Sequence, residues 1–125
     1  MPIRATRAGS ARRTETPNAV MTTFASPTQG DARVLSLWQV EMRQGQCDSD
    51  HTVDSEQIWH VTSGALAIAV ERESVRLTAG DTLVVPEVLP RHVTALTDVT
   101  AVVCGFGDAV VAGPGDVGST PRWIA

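Results

Sequence analysis

The chain has 125 residues and a mass of 13.3 kDa, with 42% hydrophobic, 19% charged and 4% aromatic residues, which is room for one domain and excludes a second core. Its ten basic residues, all arginines, face fourteen acids and three histidines for a net charge of −4. Residues 1–20 hold Arg4, Arg7, Arg12 and Arg13 against Glu15, so that stretch is +3 and the remaining 105 residues are −7. A body of that sign repels nucleic-acid backbones and anionic membranes.

Residues 1–32 show no apolar period and are interrupted by Pro2, Gly9, Pro17, Pro27 and Gly30. They read as a flexible N-terminal extension, with the folded body at 33–125 and Met21 as an effective start. A body of about 95 residues buries only roughly 60–65% of its unfolded-chain surface, which makes association with a second copy, a homodimer, the expected state.

In the body, VLSLWQVEM at 34–42 alternates Val34, Ser36, Trp38, Val40 and Met42 against Leu35, Leu37, Gln39 and Glu41. That period of two is a strand with one buried face. Further strands are expected at 51–53, 57–63, 65–71, 74–78, 82–85, 91–96 and 99–106, with turns at Gly45, Gly64, Gly80 and Asp98. No window carries a helical apolar face, so the fold class is all-β, a sandwich or barrel, and a parallel α/β sheet is excluded. The C-terminal GPGDVGSTPRWIA is too rich in Gly and Pro for a central strand, but Trp123 and Ile124 can tack it onto the body or a neighbouring subunit.

No run approaches 18 apolar residues, and the start lacks a secretory h-region. Cys47 and Cys104 are neither dense enough for a disulfide scaffold nor close enough for a dithiol or zinc ribbon, which fits a reduced, cytoplasmic setting. Cys104 reads as a buried hydrophobe and Cys47 as an exposed loop residue.

The chemistry is concentrated in GQCDSDHTVDSEQIWHVTSG, residues 45–64. Alternation places His51 with Val53, and Gln57 with Trp59 and Val61, and a turn through Asp54, Ser55 and Glu56 brings the two faces together. An imidazole able to act as base, acid or ligand then stands beside an orienting amide. Glu56 and His60 fall on the opposite face. Asp48, Asp50 and Asp54 form an acidic rim.

This stretch resembles the first motif of the cupin superfamily, with Gly45, His51, Gln57 and Gly64 on the pattern and Val53 where a second histidine is usual. GDTLVVPEVLPRHV at 80–93 resembles the second motif: Gly80 and Pro86 match, Val88 replaces the inner glycine, and Arg91 stands where the last ligand histidine belongs, with His92 one place later. The resemblance covers about 33–125 and implies a single-domain cupin, a double-stranded β-helix or jelly-roll barrel. The SG turn at 63–64 and the closing TPRWIA also resemble the small cupins of actinobacterial genomes, which points to secondary metabolism.

Two of the four motif positions lack a coordinating side chain, so no cofactor is expected. A divalent metal such as Fe, Mn, Ni or Zn would require a bulge turning His92 inward. A metal-free group of His51, Gln57 and Arg91, as base, orienting amide and oxyanion clamp, suits a cyclase or isomerase acting on a small carbonyl-bearing metabolite. A non-catalytic small-molecule-binding or structural cupin and a metal-dependent dioxygenase are the alternatives. No nucleic-acid or membrane partner is expected.

Overall fold

The structure, a computed structural model, describes residues 3–125. Eleven strands follow a short 3-10 turn at Ala8–Ser10: β1 Arg12–Glu15, β2 Val20–Ala25, β3 Leu35–Met42, β4 Thr52–Val53, β5 Gln57–Ser63, β6 Ala65–Val70, β7 Glu73–Thr78, β8 Thr82–Val85, β9 Arg91–Ala95, β10 Val99–Phe106 and β11 Val111–Ala112. Six form one sheet in the order β1-β2-β3-β10-β5-β8, three form a second in the order β7-β6-β9, and β11 pairs with β4. All paired strands are antiparallel. Backbone bridges Cys47↔Thr94 and His51↔Arg91 lay residues 47–51 along the edge of β9 left free by β6.

The apolar period seats the core. Ser36, Trp38, Val40 and Met42 of β3 are buried while Leu35, Leu37 and Glu41 are exposed, and β10 buries Val99, Ala101, Val103 and Gly105 in the same rhythm. From the three-stranded sheet Leu66, Ile68, Leu77 and Val93 join this core. At the β5–β6 turn only glycine fits: Gly64 has φ +78°, and a Cβ there would lie 2.0 Å from the Asp98 carbonyl oxygen.

The expectation of a flexible extension over 1–32 is corrected. Residues 12–15 and 20–25 are strands of the large sheet, β2 pairing with β3 from Val20↔Glu41 onward. Met21 and Thr23 are buried. The polar, proline-broken sequence conceals this because β1–β2 is a hairpin held by hydrogen bonds more than by apolar area. Arg12 donates to Thr28 Oγ1, Ser26 Oγ and the Ala125 oxygen, while Ser26 and Thr28 hydroxyls donate to that same oxygen at 2.7 and 2.8 Å. The C-terminal residues are thereby tacked onto this chain's own body, with Ile124 buried and the Trp123 carbonyl accepting from Thr23 Oγ1 at 2.7 Å.

Val88, at the motif's inner glycine position, has φ +71° and is 61% exposed. Its amide donates to the Val53 carbonyl at 2.7 Å, which holds the β8–β9 loop on β4. A β-branched residue in the left-handed region is strained by about 1–2 kcal/mol. Because little packing is lost at so exposed a position, Val88→Gly is expected to raise stability by about 0.5–1 kcal/mol after glycine's entropy cost, or roughly 2–4 °C in Tm. A melting curve unchanged or lowered by the substitution refutes this.

Candidate functional site

Between the sheets lies a cavity of about 390 Å³ whose wall includes His51, Gln57, Asp48 and all three tryptophans of the chain, Trp38, Trp59 and Trp123. Gln57 comes from the first residue of β5, and it has room because β10 carries Gly105 opposite. A Cβ on Gly105 would stand 3.3 Å from Gln57 Cγ. His51 sits just before β4, its backbone bonded both ways to Arg91, at 3.0 and 2.9 Å.

His51 Nδ1 lies 3.0 Å from the Ser49 carbonyl oxygen. A carbonyl only accepts, so in the neutral ring Nδ1 carries the proton and Nε2 keeps its lone pair. The Asp48 carboxylate lies 3.8 Å from the same Nδ1 and also accepts from the Val93 amide at 2.5 Å.

Burial pushes the Asp48 carboxyl above its ordinary value, against the pull of the Val93 amide and of His51 and His92. A carboxyl raised on folding stabilises the native state fully below its unfolded value of 3.8, and that stabilisation is lost as pH rises through the folded value. At neutral pH its ionised form is a cost. Asp48→Asn, whose amide oxygen can still accept from Val93, is therefore expected to raise Tm at pH 7 by about 1–3 °C. The gain shrinks as pH falls toward 4, and a variant that melts lower at neutral pH overturns the sign.

Arg91 is 3% exposed and on the inward side of β9, but it is not among the residues lining the cavity. The expected clamp, projecting beside His51 onto a ligand oxygen, is corrected to that extent. Its Nε donates to the Leu89 carbonyl at 3.0 Å and one Nη to the Pro86 carbonyl, while Nη1 has no partner among the described residues. A guanidinium reaches farther than an imidazole, and in a buried place it turns toward whatever acceptors the adjoining loop offers. Burial lowers its pKa below the ordinary arginine range.

His92 faces the other way. It is partly exposed and bound to Asp50 at 2.6 Å, and β9 keeps unbroken register with β6 from Arg91 to Ala95, so no bulge turns it inward. Asp54 of the acidic rim serves the backbone instead, accepting from the Val110 amide at 2.9 Å. Glu56 and His60 are exposed, His60 being bound to Thr82 Oγ1 at 2.8 Å. Cys104, expected in the core, stands on the outer face of the large sheet.

Sequence reasoning missed much of the wall. Thr16, Asn18 and Met21 come from the N-terminal hairpin, and Asp116 and Trp123 from the C-terminal segment. Asp48, expected on an acidic rim, lines the cavity together with His51, from a stretch at 48–50 that belongs to no strand. No period-based signal finds these residues.

No protein-family model matches the chain, and no curated protein matches it in sequence. Solved structures do. KdgF from Halomonas sp. superposes with a TM-score of 0.70 at 21% identity, covering 82% of this chain and 94% of that one. A cupin superfamily protein from Desulfitobacterium hafniense gives 0.63 at 11% identity over 74% and 81%. The chain has the cupin fold. Salicylate 1,2-dioxygenase from Pseudoaminobacter salicylatoxidans, solved with gentisate, shares that fold at a TM-score of 0.66 and 23% identity, over 74% of this chain but only 26% of its own length.

The positions that resemble the cupin metal-ligand positions hold His51, Val53, Gln57 and Arg91. Val53 has no donor atom, Arg91 brings a buried positive charge, and among the described residues no three His, Cys, Asp or Glu side chains gather to hold an ion. This donor set does not fit a divalent transition metal.

Proposed function

We propose that this chain is a cupin-fold enzyme that uses acid–base chemistry to isomerise or cyclise a small carbonyl-bearing metabolite, with His51 as the base. The observation that carries the reading is the His51 ring in the wall of a largely apolar cavity, its Nδ1 proton committed to Ser49. That leaves the Nε2 lone pair to take a proton from the carbon next to a carbonyl.

The electron pair of the broken C–H bond moves onto the carbonyl oxygen as an enolate. The Gln57 amide is suited to donate to that oxygen, and the buried Arg91 charge, matched by no carboxylate among the described residues, adds a favourable field. The Asp48 carboxylate favours the imidazolium formed at His51. Isomerisation is completed when the imidazolium returns the proton to a different carbon, and cyclisation when the enolate carbon attacks a second carbonyl of the same molecule, whose oxygen takes the proton.

The tryptophans limit the ligand to a small, flat or apolar body, and a role in secondary metabolism remains part of this reading. The dioxygenase alternative suggested by the salicylate 1,2-dioxygenase likeness has no support in the donor set. A pure binding module is the rival, and solvent exchange separates the two. In deuterium oxide, NMR of a panel of ketones and keto acids should show label entering next to the carbonyl only with protein present. Quenching of tryptophan fluorescence by panel members, with no label incorporated into any of them, favours the binding module.

A further inference from the structure

We infer that the cavity takes a carbonyl compound whose far end carries a protonated amine, with Gln57 meeting the oxygen and Asp116 the nitrogen. Placing the carbonyl at His51 and Gln57 rests on the proposed function; the charge is read from the wall alone. Two carboxylates, Asp48 and Asp116, line the cavity, and no arginine does. The chain has no lysine, and Arg91 is bound to loop carbonyls off the wall. Gln57 is only 5% exposed and lines the cavity, yet its side-chain amide has no hydrogen-bond partner among the described residues. A buried amide left so is costly unless a ligand or water completes it.

The two carboxylates differ in what they already serve. One Asp48 oxygen accepts from the Val93 amide and the other lies 3.8 Å from His51 Nδ1. Asp116, exposed at the mouth, makes no ion pair and accepts no side-chain hydrogen bond among the described residues. Its place is nonetheless fixed. Val111 and Ser119 exchange backbone hydrogen bonds at 2.9 and 3.0 Å, the Asp116 amide donates to the Gly113 carbonyl at 3.0 Å, and Oδ2 folds over Gly113 so closely that a Cβ there would stand 2.8 Å away. A carboxylate at the mouth of a largely apolar cavity repels a keto acid and attracts a cation, and tryptophan faces, three of which line this wall, also favour ammonium groups. The net charge of −4 acts in the same sense.

Isothermal titration calorimetry at neutral pH, with acetophenone, its 4-aminomethyl derivative and its 4-carboxyl derivative, varies the charge on one shape. The amine should bind the full chain at least about 10-fold more tightly than acetophenone, and the carboxylate more weakly than either. Asp116→Asn should remove most of the amine's advantage and leave the affinity for acetophenone within about two-fold. Asp50→Asn makes the same charge change off the wall, where Asp50 is bound to His92, and should leave the advantage intact. An amine that binds no better than acetophenone in the parent chain, or not at all at about 5 mM, overturns the inference whatever the variants do. So does an advantage undiminished in a folded Asp116→Asn protein. Solvent exchange distinguishes this from failure of the acid–base chemistry. Amine preference with no label entering next to the carbonyl leaves the charge selection standing and removes the catalysis, whereas label entering keto acids faster than amino ketones overturns the charge selection and keeps the catalysis.

Discussion

A chain starting at Met21 is expected to melt at least about 10 °C below the full-length protein, or not to fold at all at 37 °C. The deletion removes β1, which pairs with β2 over four residues, and with it every bond of Arg12 to Ser26, Thr28 and Ala125. It also strips Thr16, Asn18 and Ala19 from the cavity wall. Half a dozen hydrogen bonds at about 0.5–1.5 kcal/mol each sum to roughly 3–9 kcal/mol, and in a domain of this size each kcal/mol moves Tm by about 3–5 °C. Arg12→Ala isolates part of the effect and should cost about 1–2 kcal/mol. Differential scanning calorimetry of the truncated chain decides the matter: a midpoint within two degrees of the parent would mean the hairpin is an ornament on a barrel complete without it.

Substituting His51 by Gln is expected to lower turnover by at least about 100-fold in the solvent-exchange assay, because loss of a general base commonly costs 10²–10⁴. Gln retains a donor for the Ser49 carbonyl and nearly the same volume, so the loop should hold its shape and ligand affinity, read by tryptophan quenching, should change far less than the rate. Gln57→Leu should reduce the rate as well, through the enolate oxygen, while leaving the stability of β5 largely intact. A His51→Gln protein that exchanges label as fast as the parent removes His51 from the mechanism. A loss of affinity in the His51→Gln protein, with no exchange by either form, supports a binding module.

Much of the barrel is legible in the chain. Strands β5, β8 and β10 fall at the residues that alternation marks out, 57–63, 82–85 and 99–106, and β3 differs by one residue at its start. The reason is physical: a sheet with one wet and one dry face writes its period of two directly into the side chains, so Trp38, Val40 and Met42 declare the core without reference to any partner strand. The same rule sends Arg91 inward and His92 outward, and unbroken register from Arg91 to Ala95 keeps it so. The match to two cupin motifs in order also pointed to the fold that the solved structures share.

Tertiary structure alone decided three things. The N-terminal hairpin became part of the sheet because hydrogen bonds among Arg12, Ser26, Thr28 and the Ala125 oxygen, between residues 97 to 113 positions apart where the C-terminus is involved, hold it there. Periodicity has no access to such pairs. The side-chain path of Arg91 followed from acceptors in the β8–β9 loop, the Pro86 and Leu89 carbonyls. Asp48, expected only on an acidic rim, lines the cavity because the irregular segment before β4 runs beside β9, where its carboxylate accepts from the Val93 amide. Local pattern determines which face of each strand is buried; which loops and termini close the cavity depends on where distant donors and acceptors meet.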